Sequence, residues 1–196
     1  MATTTETASA TRGDRYDGVA QALHWLVALG VAIQLALGWW MNEFVPDHSP
    51  QQDSIQGWHV SIGITLLVIV VARLGWRATH APPTLIGGGP RWERTLASVV
   101  HILLYVLLLA QPLLGWALMS ARGEPISLWG LPMPALPGVP LHSRPLSNAF
   151  KHLHIYWIVW AYLVVLALHI AGAVKHQFDG RPVLWRMAGF LRRPAR

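Results

Sequence analysis

Four stretches of this chain are apolar over lengths comparable to the thickness of a lipid bilayer. Val19 to Met41 contains no charged residue. Gly57 to Ala72 is closed by Arg73 and extends to Trp76. Leu96 to Met119 and Ile155 to Val174 follow, the last closed by Lys175. A spanning helix needs about 20 mostly apolar residues. In lipid, only helices and closed barrels satisfy every backbone polar group. Runs this continuous lack the alternation of barrel strands, so they predict helices over about 19–41, 57–76, 96–119 and 155–174. Breakers separate them: Pro46 and Pro50, then Pro82-Pro83 and Gly87-Gly88-Gly89-Pro90. The longest loop passes through Pro125, Pro132, Pro134, Pro137 and Pro140. The fold class is all-α, an integral membrane four-helix bundle of antiparallel neighbours. Residues 1–18 form a polar, Thr-rich N-terminal tail, and 19–196 form the membrane domain. The tail does not read as a signal peptide, because the apolar run after it is long enough to span. No internal repeat is evident.

Composition agrees with the pattern. Of 196 residues, 53% are apolar and 12% charged, where a soluble domain carries about 25% charged residues. The formal charge of +6 would fit a nucleic-acid binder. The charges instead sort by side of the membrane. Arg12 and Arg15 lie in the N-terminal tail, and Arg73, Arg77, Arg91 and Arg94 flank the second loop. Lys175, Arg181, Arg186, Arg192, Arg193 and Arg196 follow the fourth span. Only Arg122, Arg144 and Lys151 fall on the other side. Twelve against three predicts both termini in the cytoplasm. Eleven Trp fit interfacial belts at both faces. The absence of Cys excludes disulfides, thiolate metal sites, iron–sulfur clusters and covalently attached haem.

The chemistry lies in the histidines. His48, His80 and His142 fall in loops and are expected to be solvated. The other seven lie in or at the edge of a span, where ionisable groups are costly and functional by default. His24 lies about one turn into the first helix, on the inner side. His59 and His154 open the second and fourth helices on the outer side. His169 stands 15 residues beyond His154, about 22 Å further along a helix. His24 can therefore meet His169 at one depth, and His59 can meet His154 at another. Two pairs of imidazoles stacked across a bundle suit the axial ligands of two haems. Two ligands per iron leave no open position, so such a site transfers electrons rather than activating oxygen. No carboxylate lies in a span, which disfavours zinc and di-iron chemistry.

The same residues carry a family resemblance. His24-Trp25, Trp58-His59-Val60-Ser61-Ile62-Gly63 and Arg73 are set in the first two helices. His101-Ile102-Leu103-Leu104-Tyr105 and Gln111-Pro112-Leu113-Leu114-Gly115 lie in the third. Arg122-Gly123-Glu124-Pro125 and Gly130-Leu131-Pro132-Met133-Pro134 lie in the outer loop, and Leu168-His169 and Lys175-His176-Gln177-Phe178-Asp179-Gly180 in the fourth helix. In this order they resemble the bacterial cytochrome b561 family over nearly everything after residue 18. The resemblance implies two haem b groups, axial ligation by His24, His59, His154 and His169, and electron exchange with the quinone pool of the bacterial inner membrane. Some members of that family oxidise superoxide with ubiquinone as acceptor, so a quinone-linked oxidoreductase with a small anionic or protein donor is expected. The family spaces the two helix-four ligands 14 residues apart. Here His154 to His169 is 15 and His152 to His169 is 17, so His152 stands as the alternative to His154. A π-bulge would absorb the extra residue.

His101 and His176 match the family pattern near the inner face, as candidates for a haem propionate, a quinone pocket or proton relay. Arg122, Arg144 and Lys151 are candidates for holding outer propionates or steering an anion. Gly63 and Gly172 stand one turn from His59 and His169 and fit either close porphyrin approach or helix packing. Besides lipid and quinone, a larger catalytic subunit or a second copy are partner alternatives. A haem-bearing anchor subunit and a haem-free transporter or assembly protein are the rival functions.

Overall fold

The computed structural model describes residues 15–81, 83, 90–179 and 183–188. Most of the polar N-terminal tail lies outside these residues. So do Pro82, the Gly87-Gly88-Gly89 breaker, Gly180, and Arg12, Arg181, Arg192, Arg193 and Arg196.

Four helical segments are long and apolar enough to cross a membrane. Helix α1 covers Gly18–Phe44, α2 covers Pro50–Thr79 and α3 covers Arg91–Arg122. The fourth segment, Arg144–Phe178, is built from α4 (Arg144–Lys151), a π-helical turn (His152–Trp157) and α5 (Ile158–Phe178). A short α6 follows at Leu184–Met187.

Each helix starts earlier than hydropathy predicts, and polar side chains cap the first two. The Asp17 carboxylate accepts from the Ala20 amide, which holds its carboxyl below the usual pKa. Ser49 caps α2 through the Gln52 amide, with Pro50 in the first turn. The fourth segment begins eleven residues before the expected 155, since the sequence Arg144–Lys151 is amphipathic rather than apolar. Gly123, at φ 74°, closes α3 in the left-handed conformation.

The outer loop is not wholly irregular. Ile126–Leu128 (β1) pairs antiparallel with Leu131–Met133 (β2). Trp129 and Gly130 make the two-residue turn at φ 53° and 87°, the positive pair that hairpins of this length favour. Pro132 is tolerated in a strand with a free edge. The hairpin docks on α2: the Trp129 amide donates to Ser61 Oγ at 3.0 Å and its indole N–H to Thr65 Oγ1 at 3.1 Å.

α1 packs on α2, α2 on α3, and α3 on α5. Among the described residues, α5 makes no extended backbone contact with α1 or α2. A cluster of Val100, Leu107, Tyr162 and Val165, joined by Val31 and Leu35, fills the middle of the bundle. At one end, the start of α1 is tied to α6. The Tyr16 amide donates to Arg186 O, Arg15 Nε to Trp185 O at 3.0 Å, and the Trp25 indole to Met187 O at 2.7 Å. Both chain tails therefore leave from this tail end. The hairpin and the α1–α2 connection form the opposite loop end.

Candidate functional site

Two histidine pairs lie at two levels of the bundle. At the tail end, α1 and α5 bring His24 and His169 together, with ring centroids 6.3 Å apart. At the loop end, α2 and the π turn bring His59 and His154 to 6.1 Å. Metal–imidazole bonds are about 2.0 Å long and an imidazole ring has a radius of about 1 Å, so two rings on opposite sides of one metal ion stand about 6 Å apart. Both pairs have this separation. The apolar layer around Tyr162 lies between the levels.

The π turn accounts for the 15-residue spacing. The Ile158 amide bonds back to Leu153, five residues earlier, so the helix absorbs one residue before resuming its ordinary pitch. His152, on the same turn, is exposed and lies against Tyr156, 5.6 Å between centroids, away from His59.

The polar partners differ between levels. His154 Nδ1 faces the Gln111 carbonyl at 3.0 Å, so it carries the ring proton and leaves Nε2 with a lone pair. His59 Nδ1 is buried without a partner among the described residues. His24 Nδ1 accepts from Arg73 Nη1 at 2.9 Å, and Arg73 Nε donates to Tyr105 Oη at 3.2 Å. His101 sets its Nδ1 on the Ala97 carbonyl at 2.6 Å and its ring against His169 at 5.2 Å, so the tail-end level holds three histidines. A cavity of about 550 Å³ opens beside it, lined among others by Arg15, Arg73, Trp76, Arg77 and Tyr105.

The remaining candidates are dispersed. His176 is half-buried near the end of α5, outside both pairs. Arg122 bonds to Glu124 at 3.5 Å, while Arg144 and Lys151 are exposed at the two ends of α4. A Cβ at Gly63 would stand 2.8 Å from Gln34 Nε2, so this glycine makes room for an amide; one at Gly172 would meet nothing. The loop histidines His48, His80 and His142 are exposed, His80 stacked on Trp76 at 3.8 Å.

Four residues around the loop-end pair had no role assigned from the sequence, although two of them, Gln111 and Gly115, lie in a motif already quoted. Gln34 Nε2 donates to the His59 carbonyl at 2.9 Å, and Gln111 Nε2 donates to the His154 carbonyl at 2.8 Å. A Cβ at Gly38 would lie 3.5 Å from His59 Cε1, and one at Gly115 3.1 Å from His154 Cε1. Their signal was present. His24, Gln34, Gly38 and Trp39 recur as His101, Gln111, Gly115 and Trp116, each 77 residues on. Leu26 and Leu37 recur in register as Leu103 and Leu114. The chain thus contains an internal repeat, contrary to the first reading.

Comparison with known proteins identifies the family. Residues 15–190 match the family model described as prokaryotic cytochrome b561. Cytochrome b561 homolog 2 of Escherichia coli K12 is 32% identical over 185 residues, covering 90% of this chain and 92% of the relative. Cytochrome b561 homolog 1 of the same organism is 31% identical, covering 80% and 86%. A protein of Yersinia pestis named probable superoxide oxidase CybB is 27% identical, covering 84% and 89%. This four-helix chain belongs to the prokaryotic cytochrome b561 family, membrane proteins of bacteria that bind haem b and carry electrons.

Proposed function

We propose that this protein is a di-haem b cytochrome that takes single electrons from a donor at the loop end and delivers them to quinone. The observation that carries the reading is the pair of histidine couples, 6.3 and 6.1 Å between centroids, stacked along one bundle. Each haem, when bound, would supply reversible one-electron chemistry. His24 and His169 would hold the tail-end iron, and His59 and His154 the loop-end iron. The His154 ring is set by the Gln111 carbonyl, which leaves Nε2 free to ligate.

His24 needs one rearrangement. A ring ligating through Nε2 carries its proton on Nδ1, where a guanidinium cannot donate. Arg73 then releases Nδ1, keeps Tyr105, and its charge is free for an anionic group at that level. His101 lies too close to His169, at 5.2 Å between centroids, to sit across one iron from it. We assign it a hydrogen-bonding role beside the site.

In this reading the tail end faces the cytoplasm and the loop end the outside, which the charge bias of twelve to three supports. Superoxide is the donor this reading favours, supported by the name of the Yersinia relative and by Arg144 and Lys151 exposed near the loop-end pair. Two superoxide anions each lose one electron and leave as dioxygen; one quinone gains two electrons and two protons. The tail-end cavity, of a size that suits a ring headgroup, is the acceptor site we assign.

A reduced-minus-oxidised optical spectrum with a haem assay tests the reading. Two haem b per chain are expected. Replacing His24, His59, His154 or His169 with Ala should each remove one haem. His101→Ala and His152→Ala should keep both. A chain without haem, made with haem available, would overturn the assignment. Loss of haem in His101→Ala but not in His24→Ala would move the tail-end ligand to α3.

A further inference from the structure

The 77-residue repeat makes α1 and α3 equivalent helices. Each presents the same face to a histidine of the helix that follows it: Gln34 and Gly38 face His59, and Gln111 and Gly115 face His154. Both glutamines spend their amide N–H on the carbonyl of that histidine, at 2.9 and 2.8 Å. Both leave their side-chain Oε1 buried without a partner among the described residues. Buried polar groups of this kind are rare and call for a reason. Gly63 supports a built arrangement, since any side chain there would occupy the position of the Gln34 amide.

The second halves of the repeat match at one level and diverge at the other. His59 and His154 correspond. Fourteen residues after His59 stands Arg73; fifteen after His154, with one residue absorbed by the π turn, stands His169. The tail end therefore keeps the symmetry on α1 and α3, as His24 and His101, and loses it on α2 and α5, as Arg73 and His169. The loop end has kept it.

We infer that Gln34 and Gln111 are a matched pair of positioning residues, one from each half of the repeat, that jointly set the orientation of His59 and His154. Each amide pins the backbone at the root of its imidazole, and the glycine one turn on admits the ring against the helix. The two halves differ in one respect. The Gln111 carbonyl accepts from His154 Nδ1, whereas His59 Nδ1 has no such partner among the described residues. This inference rests on the di-haem reading, and its test is separable from that reading.

The experiment is a redox titration followed optically, with low-spin EPR of the oxidised protein, on full-length haem-loaded chains in detergent. Gln34→Leu and Gln111→Leu keep the bulk and remove the donor. Each is expected to shift the midpoint and the EPR signal of one haem only. It must be the same haem for both variants, the one missing from His59→Ala. Gln177→Leu, which alters another glutamine with a buried unpartnered Oε1, near the tail end, should shift neither signal of that haem. If a Leu variant loads no haem, Gln34→Met and Gln111→Met keep the length of the side chain, remove the donor and add no charge, with the same single-haem shift expected. Two haems with unmoved signals, equal shifts of both haems, or shifts of different haems by the two variants would overturn the inference. A wild-type chain without haem would instead overturn the functional reading beneath it.

Discussion

A methyl group at residue 115 would stand 3.1 Å from Cε1 of His154, closer than most real side-chain contacts. The neighbour is a ring held on its other side by the Gln111 carbonyl, so it has little freedom to give way. Overpacking at such a contact costs about 1–3 kcal/mol. Gly115→Val should displace the imidazole and lower the haem content from two per chain to one, read from the same optical assay. Gly172→Val is the matched control, because nothing lies within 4 Å of its Cβ position and both haems should remain. Equal losses in the two variants would mean that valine weakens the helix generally. The same comparison separates two roles that sequence could not distinguish for glycines near histidines. Gly63 serves an amide, Gly115 serves an imidazole, and Gly172 serves neither.

At the level of elements, the four spans and the two depths of histidine were legible because hydropathy and rise per residue are one-dimensional properties. The pairing of His24 with His169 and of His59 with His154 followed from those depths. The sequence put His154 ahead of His152, and the structure sets His152 beside Tyr156 on the π turn. The repeat is faint in the sequence because only six positions between 24 and 39 recur. The hairpin at Ile126–Met133 was hidden by prolines that normally mark irregular loops. The π turn itself makes a prediction. In an α-helix 15 steps leave two side chains about 60° apart, and 14 steps about 40° apart on the other side. Deleting Ile155 gives a spacing of 14 and removes the need for the π turn, so both haems should be retained. Inserting one alanine after Ala161 adds about 100° of rotation between the two ligands of one helix, and one haem should be lost. Full haem content in the insertion variant would mean that the fourth helix does not bridge the two sites.

For the whole molecule, the arrangement of charge and of chain ends bears on which way electrons run. The start of α1 and α6 are hydrogen-bonded to each other, so the two described ends of the chain lie at one end of the bundle. The positive-charge bias predicts that this end faces the cytoplasm. Since the chain has no cysteine, single-cysteine variants report side without background. A membrane-impermeant maleimide added to intact cells with a permeabilised outer membrane should label Gln51→Cys at the loop end. It should leave Ala78→Cys, near the tail end, unlabelled until the inner membrane is opened. The reverse pattern would put the donor in the cytoplasm and make superoxide steering from outside irrelevant. With the expected orientation, Arg144 and Lys151 are the exposed cations nearest an approaching donor, while Arg122 is engaged by Glu124. Attraction by exposed charges raises association rates by about tenfold or more and is screened by salt. Arg144→Glu with Lys151→Glu should therefore slow reduction by superoxide about tenfold at low ionic strength. The difference should shrink as salt is added, and reduction by a neutral donor should be unchanged. Equal slowing with both donors would point to damage at the His59–His154 level, and unchanged rates with superoxide would remove these two cations from its path.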